Sequence, residues 1–295
     1  MLRMLTLAGS LAFGAVLALP GQHSGRLVKV YGDLATADRV AIVVPGADTT
    51  VATFEASTKR PGGAARALLA EAAKVGHGER LAVIAWLGYD APPTWSLGAI
   101  TDTAAVEGAK ALRRTVVELH ARTSAPIALL CHSYGSVVCA KAGTDLPVAD
   151  VALFGSPGID ASSGHAPAGR APSDHPPSDQ EPSDGAPSDG ALPDHHLSDA
   201  SYRPPSDHGV SSPAPSVTRV WAGVGGSDWI RFVPKVKLGP LGFGADALSP
   251  GYGARVFEVG PGGHSDYFAP GTPSLRNLTL IALGRPGDVT AAAPA

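Results

Sequence analysis

The sequence predicts an α/β protein in which helices cover both faces of a mostly parallel sheet. The first observation is that residues 40–44 and 81–86 are continuous apolar runs, which are typical of strands buried on both faces. The second is that residues 105–119 carry apolar side chains at helical spacing. The third is that residues 127–138 change from a strand pattern to the start of a helix. Strands that alternate with helices in this way form a parallel sheet.

Residues 131–135, Cys-His-Ser-Tyr-Gly, stand at that change from strand to helix. A strand that breaks into a helix around a serine has the sequence form of a nucleophile elbow, a turn so sharp that only small residues fit beside the serine. Gly135 meets this need, and Cys131 stands where the motif usually has its first glycine. The alternative is that Ser133 occupies an ordinary turn between a strand and a helix.

Length, charge and cysteine content limit the class of protein. A chain of 295 residues can hold one α/β domain of ordinary size with a substantial core. Its net charge of −3 leaves no broad basic surface for phosphates, which argues against nucleic acid as a partner. Cys131 and Cys139 indicate no disulfide framework and are expected to be small, buried, apolar side chains.

Residues 1–24 are predicted to be a secretory signal peptide or a membrane anchor. Residues 1–19 carry a single charge, Arg3, and an apolar run that is too short for a comfortable membrane span of about 20 residues. Residues 16–18, Val-Leu-Ala, have the form of a cleavage signature. We therefore expect the protein to be exported, and to associate with a membrane if the segment remains attached. A buried first helix is the alternative, and it would leave the protein in the cytoplasm.

The composition changes abruptly between residues 161 and 215. This stretch has almost no aliphatic residues, and Pro-Ser-Asp recurs with a five-residue period over 172–189. It cannot bury enough apolar surface to offset the entropy of ordering, so it is predicted to be a disordered insertion. The α/β domain is accordingly discontinuous, over 25–160 and 216–287, and 288–295 is predicted to be a disordered tail. The insertion holds five of the ten histidines, whose spacing favours a solvated linker over a metal site.

A serine is a poor nucleophile at neutral pH and needs a histidine base, which in turn needs a carboxylate to orient it. On an α/β sheet these residues follow one another in the order Ser, Asp or Glu, His, each on a loop after a strand. After the insertion the one remaining histidine is His264, directly behind the last predicted strand. Asp228 follows a predicted strand and is the expected acid, with Asp246 and Asp266 as competitors. The candidate nucleophile is Ser133.

The oxyanion formed when the serine attacks needs two backbone N–H donors. One is expected from Tyr134, directly after the serine, and the other from Gly46 or Ala47 in the loop after an earlier strand. Ala47 is preferred, because Pro45 has no N–H and the donor must lie beyond it. No metal or cofactor is predicted. The apolar wall of the substrate pocket is predicted to include Trp86, Tyr89, Tyr134 and Trp229.

Residues 132–136 resemble the elbow of an actinobacterial α/β-hydrolase family of unknown function, whose usual form is Gly-His-Ser-Tyr-Gly-Ser. The resemblance implies an α/β-hydrolase fold with Ser133 as nucleophile, Asp228 as acid and His264 as base. The chain departs from the family pattern in three respects: Cys131 replaces a glycine, a helical region that often precedes the domain is missing, and the insertion has no counterpart. The resemblance covers about residues 25–283 apart from the insertion, and it also rests on residues 31–34, 44–46, 49–50, 86–92, 155–158, 263–265 and Tyr267.

These residues together predict a serine hydrolase that forms an acyl-enzyme, with a small carboxylic ester as substrate. The alternatives are a thioesterase, amidase or acyltransferase with the same three residues, and a binding module on the same fold that no longer turns over. A cysteine hydrolase is disfavoured, because Cys131 precedes the apex of the elbow by two residues and should point into the fold. The insertion stands where related folds carry a lid, and its composition predicts an open active site. The oligomeric state is left open by the sequence.

Overall fold

The computed structural model describes residues 25–160, 218–239 and 241–293. The signal peptide or anchor predicted for residues 1–24 and the disordered insertion predicted for residues 161–215 lie outside these ranges. Among the residues described, no helix is both long enough and apolar enough to cross a membrane.

The described residues form one seven-stranded sheet and one short antiparallel pair. The sheet has the order β1-β3-β2-β4-β5-β6-β9, with β1 antiparallel to its neighbour and all other pairs parallel. The separate pair is formed by β7 and β8. The strands are β1 (Leu27–Tyr31), β2 (Arg39–Val44), β3 (Leu81–Leu87), β4 (Ile127–His132), β5 (Asp150–Phe154), β6 (Arg219–Gly223), β7 (Lys237–Leu238), β8 (Leu241–Gly242) and β9 (Arg255–Val256).

Two layers of helices cover the sheet. The helices are α1 (Pro61–Val75), α2 (Thr103–His120), α3 (Tyr134–Ala142) and α4 (Pro273–Ala282). Helices α2 and α3 pack on one face, and α1 and α4 pack on the other. The apolar core has two parts, one on each face of the sheet. Val40 and Ile42 of β2 pack in the part beneath α2 and α3, and Ala41 and Val43 pack in the part beneath α1 and α4, which explains why the sequence of β2 is continuously apolar. The predicted α/β class, with a mostly parallel sheet and helices on both faces, is confirmed.

The prediction of a disordered tail over residues 288–295 is wrong for the part that the structure describes. The Glu258 N–H donates to the Thr290 carbonyl, and the Ala292 N–H donates to the Val256 carbonyl. Strand β9 lies at the edge of the sheet and would otherwise leave these backbone groups unpaired. The small-residue composition of the tail does not reveal this pairing, because backbone groups make it.

The two cysteines are buried as expected, but they do form a disulfide, between Cys131 and Cys139. Cys131 lies near the end of β4, and Cys139 lies in α3. The sharp turn between these elements folds the helix back over its own strand, which brings the two Cα atoms within 6.4 Å of each other. The disulfide therefore ties the strand before Ser133 to the helix after it.

Removing this disulfide should destabilise the fold measurably. The bond closes a loop between cysteines eight positions apart, so the chain-entropy relation gives a loss of about 2.5 kcal/mol in the free energy of unfolding for the double variant Cys131→Ala, Cys139→Ala. Denaturant unfolding with and without a reductant measures it. The reductant should weaken the parent chain and leave the variant unchanged, whereas two titratable thiols in the unreduced, unfolded parent would contradict the assignment.

Candidate active site

Ser133 is the single residue between β4 and α3. Its backbone has φ 52° and ψ −125°, a conformation with positive φ that side-chain-bearing residues rarely adopt. The Ser133 N–H donates to the Phe154 carbonyl at the end of β5 over 2.9 Å. The hydroxyl of Ser136 donates to the Ser133 carbonyl from the first turn of α3, over 2.6 Å. These contacts hold Ser133 at the carboxyl edge of the sheet in the geometry of a nucleophile elbow.

Two glycines allow the chain to approach Ser133 closely. A Cβ atom on Gly135 would lie 2.5 Å from the Val44 carbonyl oxygen and 2.6 Å from that of Pro45. A Cβ atom on Gly46 would lie 2.6 Å from the Ser133 Cβ and 3.1 Å from the Ser133 Oγ. The loop after β2 thus lies directly against the serine, and neither glycine position has room for a side chain.

The structure brings Ser133, His264 and Asp228 into one hydrogen-bonded chain. His264 Nε2 lies 2.8 Å from Ser133 Oγ, and His264 Nδ1 lies 2.8 and 3.0 Å from the two carboxylate oxygens of Asp228. Because a carboxylate can only accept, Nδ1 carries the hydrogen in the neutral ring and Nε2 is left to accept from the serine hydroxyl. The three side chains come from loops after β4, β6 and β9, which reach the same edge of the sheet.

Asp228 is fully buried, and its carboxylate accepts hydrogen bonds from three residues. Besides His264, the Ile230 N–H donates to its Oδ1 over 2.8 Å and the Tyr267 hydroxyl donates to its Oδ2. The Tyr267 oxygen in turn accepts from the Gly225 N–H. Burial alone would raise the pKa of Asp228, but the hydrogen bonds from His264, Tyr267 and Ile230 outweigh it, and the pKa lies below its usual value. Asp228 is therefore held as a carboxylate.

His132 is a site residue that the sequence does not reveal. Its Nε2 lies 2.7 Å from the backbone carbonyl of His264, so this nitrogen carries the hydrogen and donates it. Its ring packs against those of Phe154, His264 and Tyr267. Burial, with a smaller contribution from His264, lowers the pKa of His132 to about 3. A neutral His132 thus anchors the loop that carries His264, through a backbone contact that no side-chain pattern predicts.

The N–H donors predicted for an oxyanion lie beside Ser133. Tyr134 is the first residue of α3, where an N–H has no partner inside the helix. Gly46 touches Ser133, and Ala47 follows it in the same loop. The Ala47 N–H has no hydrogen-bond acceptor among the described residues, whereas the next N–H, that of Asp48, donates to Pro92. This arrangement favours Ala47 over Asp48 as the second donor, and it does not distinguish Ala47 from Gly46, whose N–H also has no acceptor among the described residues.

Three of the four aromatic residues predicted to line the pocket do not line it. Trp86 and Tyr89 are buried in the core beneath α2, where Trp86 donates to the Thr115 hydroxyl and Tyr89 to the Pro45 carbonyl. The Tyr134 side chain stacks on Tyr89 and is buried with it. Their polar atoms find partners inside the fold, which removes the reason for these rings to face solvent.

Trp229 is half-exposed, and its ring centroid lies 4.7 Å from that of His264. It is therefore the predicted pocket aromatic that borders the candidate site. The two competing carboxylates have other partners: Asp266 accepts from the Gly263 N–H, and Asp246 accepts from the Leu248 N–H. Among the residues that the structure describes, no group of three or more His, Cys, Asp or Glu side chains is placed to hold a metal ion.

A family model described as alpha/beta hydrolase matches residues 20–171, just over half of the chain. Uncharacterised proteins of Mycobacterium bovis and Mycobacterium tuberculosis are 35% identical to this chain over 136 residues. The aligned residues cover 44% of this chain and 51% of each relative. The chain thus spans about half the length of the curated relatives it matches. The family match includes the elbow of Ser133 and ends before the loops of Asp228 and His264.

Solved structures with a similar fold include the esterase PE8, at 13% identity and a TM-score of 0.44, covering 85% of this chain and 95% of that one. Another is an alpha/beta serine hydrolase without lid from Xanthomonas campestris, at 14% identity and a TM-score of 0.43, covering 98% of this chain and all of that one. An alpha-beta serine hydrolase homologue from Coxiella burnetii has 12% identity and a TM-score of 0.40, covering 96% of this chain and 100% of that one.

The neutral state of His132 should appear in the pH dependence of stability. Between the pKa of about 3 in the folded chain and about 6.5 in the unfolded chain, only the unfolded state binds a proton, so stability falls as pH falls, by up to about 1.4 kcal/mol per pH unit. His132→Gln keeps an N–H donor but cannot titrate. Its unfolding free energy, measured by denaturant from pH 4 to 8, should therefore fall less steeply below pH 6.5. Parallel curves for the two proteins would contradict this assignment.

Proposed function

Because the chain belongs to the alpha/beta hydrolase family, we propose that it is a serine hydrolase that cleaves carboxylic esters through an acyl-enzyme intermediate. The observation that carries the proposal is the hydrogen-bonded chain from the Ser133 hydroxyl through His264 to the buried Asp228. A serine hydroxyl that donates to a histidine, itself oriented by a carboxylate, is the arrangement that activates serine as a nucleophile.

In the first half of the reaction, His264 Nε2 takes the proton of Ser133 while Oγ attacks the ester carbonyl carbon. The Asp228 carboxylate, held by the Tyr267 hydroxyl and the Ile230 N–H, stabilises the imidazolium that forms. The tetrahedral intermediate then collapses, His264 returns the proton to the leaving alcohol, and the acyl group remains on Ser133. In the second half, His264 takes a proton from water as the water oxygen attacks the acyl carbon. The second tetrahedral intermediate then collapses, His264 returns the proton to Ser133 Oγ as the C–Oγ bond breaks, and the carboxylic acid is released.

The negative charge on the carbonyl oxygen needs donors fixed in advance of the reaction. We assign this role to the N–H groups of Tyr134 and Ala47, which flank Ser133 on two sides. Tyr134 also opens α3, a helix of nine residues whose N-terminal dipole end points toward developing negative charge. Loss of one such donor typically costs about 100- to 1,000-fold in rate, so the position of the loop after β2 should strongly affect the rate.

We also propose that the protein works outside the cytoplasm. The support within the fold is the disulfide between Cys131 and Cys139, since disulfides form and persist in oxidising compartments. In the reducing environment of the cytoplasm, the two cysteines would be expected to remain as thiols. This proposal agrees with the export expected from the N-terminal apolar segment.

Labelling with a fluorescent fluorophosphonate tests the nucleophile directly. The parent chain should label, Ser133→Ala should not, and His264→Ala should label more slowly by at least about a thousandfold, because a serine without its base is a weak nucleophile. The matched control is Ser227→Ala, since Ser227 is exposed beside Asp228 and its side chain makes no hydrogen bond within the described chain. A panel of p-nitrophenyl esters, thioesters and anilides would then identify the bond cleaved.

Two outcomes would overturn the assignment. Labelling that persists in Ser133→Ala would place the reactive group elsewhere. A folded parent chain that neither labels nor hydrolyses any member of the panel would instead favour a binding module on this fold.

The substitution Gly46→Ala tests the geometry of the loop after β2. The added methyl group would lie 2.6 Å from the Ser133 Cβ, and a displacement of the serine or of the neighbouring donor should lower kcat by about a hundredfold. Gly251→Ala is the matched control, because no atom lies within 4 Å of a Cβ at that position. Both variants should be compared by ester hydrolysis and by thermal unfolding. Equal kcat values for the two folded variants would refute the close approach of the loop.

A further inference from the structure

The exposed apolar side chains are concentrated at the edge of the sheet that carries Ser133. Of the eleven large apolar residues exposed in the described part of the chain, nine lie on the loops that leave the carboxyl ends of β2, β3 and β6. The other two, Val106 and Val117, lie on α2. Single exposed apolar residues are ordinary, but their concentration on one face marks an interaction site.

From this face we propose that the protein docks on an anionic lipid surface, and that its ester substrate is held in that surface. The docking site consists of the rim of apolar side chains on the three loops. The second part of the proposal rests on the proposed serine hydrolase function, whereas the first part does not.

The most exposed members of the rim lie on two of the loops. In the loop after β3, Trp95 is 97% exposed and Leu97 is 76% exposed. In the loop after β6, Phe232 is 85% exposed and Leu238 is 73% exposed. Burial of such side chains in an apolar phase is favourable, and aromatic rings are well suited to the boundary between lipid and water.

Hydrogen bonds join the three loops into one rim. The Thr94 N–H donates to the Asp48 carboxylate over 2.9 Å, which links the loop after β3 to the loop after β2. The Gly242 N–H donates to the Ile100 carbonyl over 2.9 Å, which links β8 to the loop after β3. Trp229, 48% exposed, touches the His264 ring and so connects the rim to the candidate site. The apolar surface therefore begins at the reacting groups.

The charge of the loop after β6 selects the kind of lipid. Residues 229–245 include Arg231, Lys235 and Lys237 and no acidic residue. Lys237 is paired with Asp160 and Asp102, and the half-buried Lys235 donates to the Ile230 carbonyl over 2.7 Å. Arg231 is exposed, and neither Arg231 nor Lys235 lies within ion-pair distance of a carboxylate of the described residues. Cations interleaved with exposed apolar side chains favour a negatively charged lipid surface.

The β7–β8 hairpin has the shape expected of a lipid-contacting element. It is short, it places Leu238 and Leu241 on either side of its tip, and both side chains are exposed. Between residues 162 and 215, the sequence contains only four large apolar residues, Leu192, Leu197, Tyr202 and Val210. An external apolar phase is the occupant that fits.

Vesicle sedimentation tests the docking site without turnover. Full-length Ser133→Ala protein is mixed with vesicles of phosphatidylcholine alone or of equimolar phosphatidylcholine and phosphatidylglycerol. It should bind the anionic vesicles more tightly, and added salt should weaken the binding. Adding Phe232→Ser and Leu238→Ser should lower the affinity by at least about tenfold, because two side chains no longer enter the lipid. The matched control adds Val106→Ser and Val117→Ser on α2 and should bind as before.

Three results would overturn the docking site. The first is equal binding by the rim variant and the α2 variant, which would assign lipid binding to another segment such as residues 1–24. The second is equal binding to neutral and anionic vesicles. The third is that the protein binds no vesicle and instead forms a dimer in analytical ultracentrifugation. If substitution of Phe232 and Leu238 dissociates that dimer, the rim is an interface between two copies of the chain.

A second measurement separates this proposal from the hydrolase assignment. In chains that retain Ser133, the rim variant should lower hydrolysis of an ester dissolved in vesicles by about tenfold relative to hydrolysis of a soluble short-chain ester. An unchanged ratio between the two substrates would refute capture of the ester from the lipid. A parent chain that binds anionic vesicles through the rim but fails to react with fluorophosphonate would refute the hydrolase and leave the docking site standing.

Discussion

The contact between the loop after β2 and the turn after β4 is the constraint on which the site depends. The two backbones lie so close that a side-chain carbon on Gly46 would meet Ser133, and one on Gly135 would meet the Val44 and Pro45 carbonyls. Ser133 adopts its positive φ in this narrow space. The same contact places the loop after β2 and the N-terminus of α3 on either side of the serine oxygen. A looser fit would move the proposed N–H donors away from Ser133.

The disulfide gives a physical reason for the unusual cysteine before the elbow. Other elbows use glycine at that position because the turn has little space. Here the Cys131 side chain is directed away from the turn and into the core shared with α2 and α3, where it is fully buried and bonded to Cys139. The bond holds the strand and the helix together behind Ser133. The residue that departs from the motif thereby reinforces the turn instead of disturbing it.

Much of the fold and the meeting of three distant residues could be predicted from the sequence. Parallel strands were visible as continuous apolar runs, and loops after parallel strands reach the same edge, so Ser133, Asp228 and His264 were expected to lie close together. The environment of these residues was not predictable. His132 acts through a backbone carbonyl of residue 264, and Tyr267 acts through the buried oxygen of Asp228. Such contacts depend on how closely the loops pack, which residue types alone do not encode.

The aromatic residues show the same limit. Trp86 lies near the end of a strand and Trp229 lies in the loop after one. Since both are tryptophan, the residue type does not show which side chain is buried in the core and which borders the candidate site. Their surroundings decide, because Trp86 has the Thr115 hydroxyl to bond inside the fold, whereas Trp229 lies on a short turn that leaves the sheet. The backbone pairing of the C-terminal tail with β9 was hidden for a similar reason, since it uses no side chain.

One carboxylate links the buried half of the site to the exposed half. Asp228 accepts from His264 and also from the Ile230 N–H, and by the second contact its carboxylate caps the short 3₁₀ helix Trp229–Phe232. The carboxylate that caps this helix also contacts the His264 ring, while the outer side of the helix presents Trp229 and Phe232 to solvent. Any surface that holds these two rings acts on the same turn that Asp228 caps. The rings of the proposed docking site and the carboxylate that contacts His264 therefore share a single hydrogen-bonded turn.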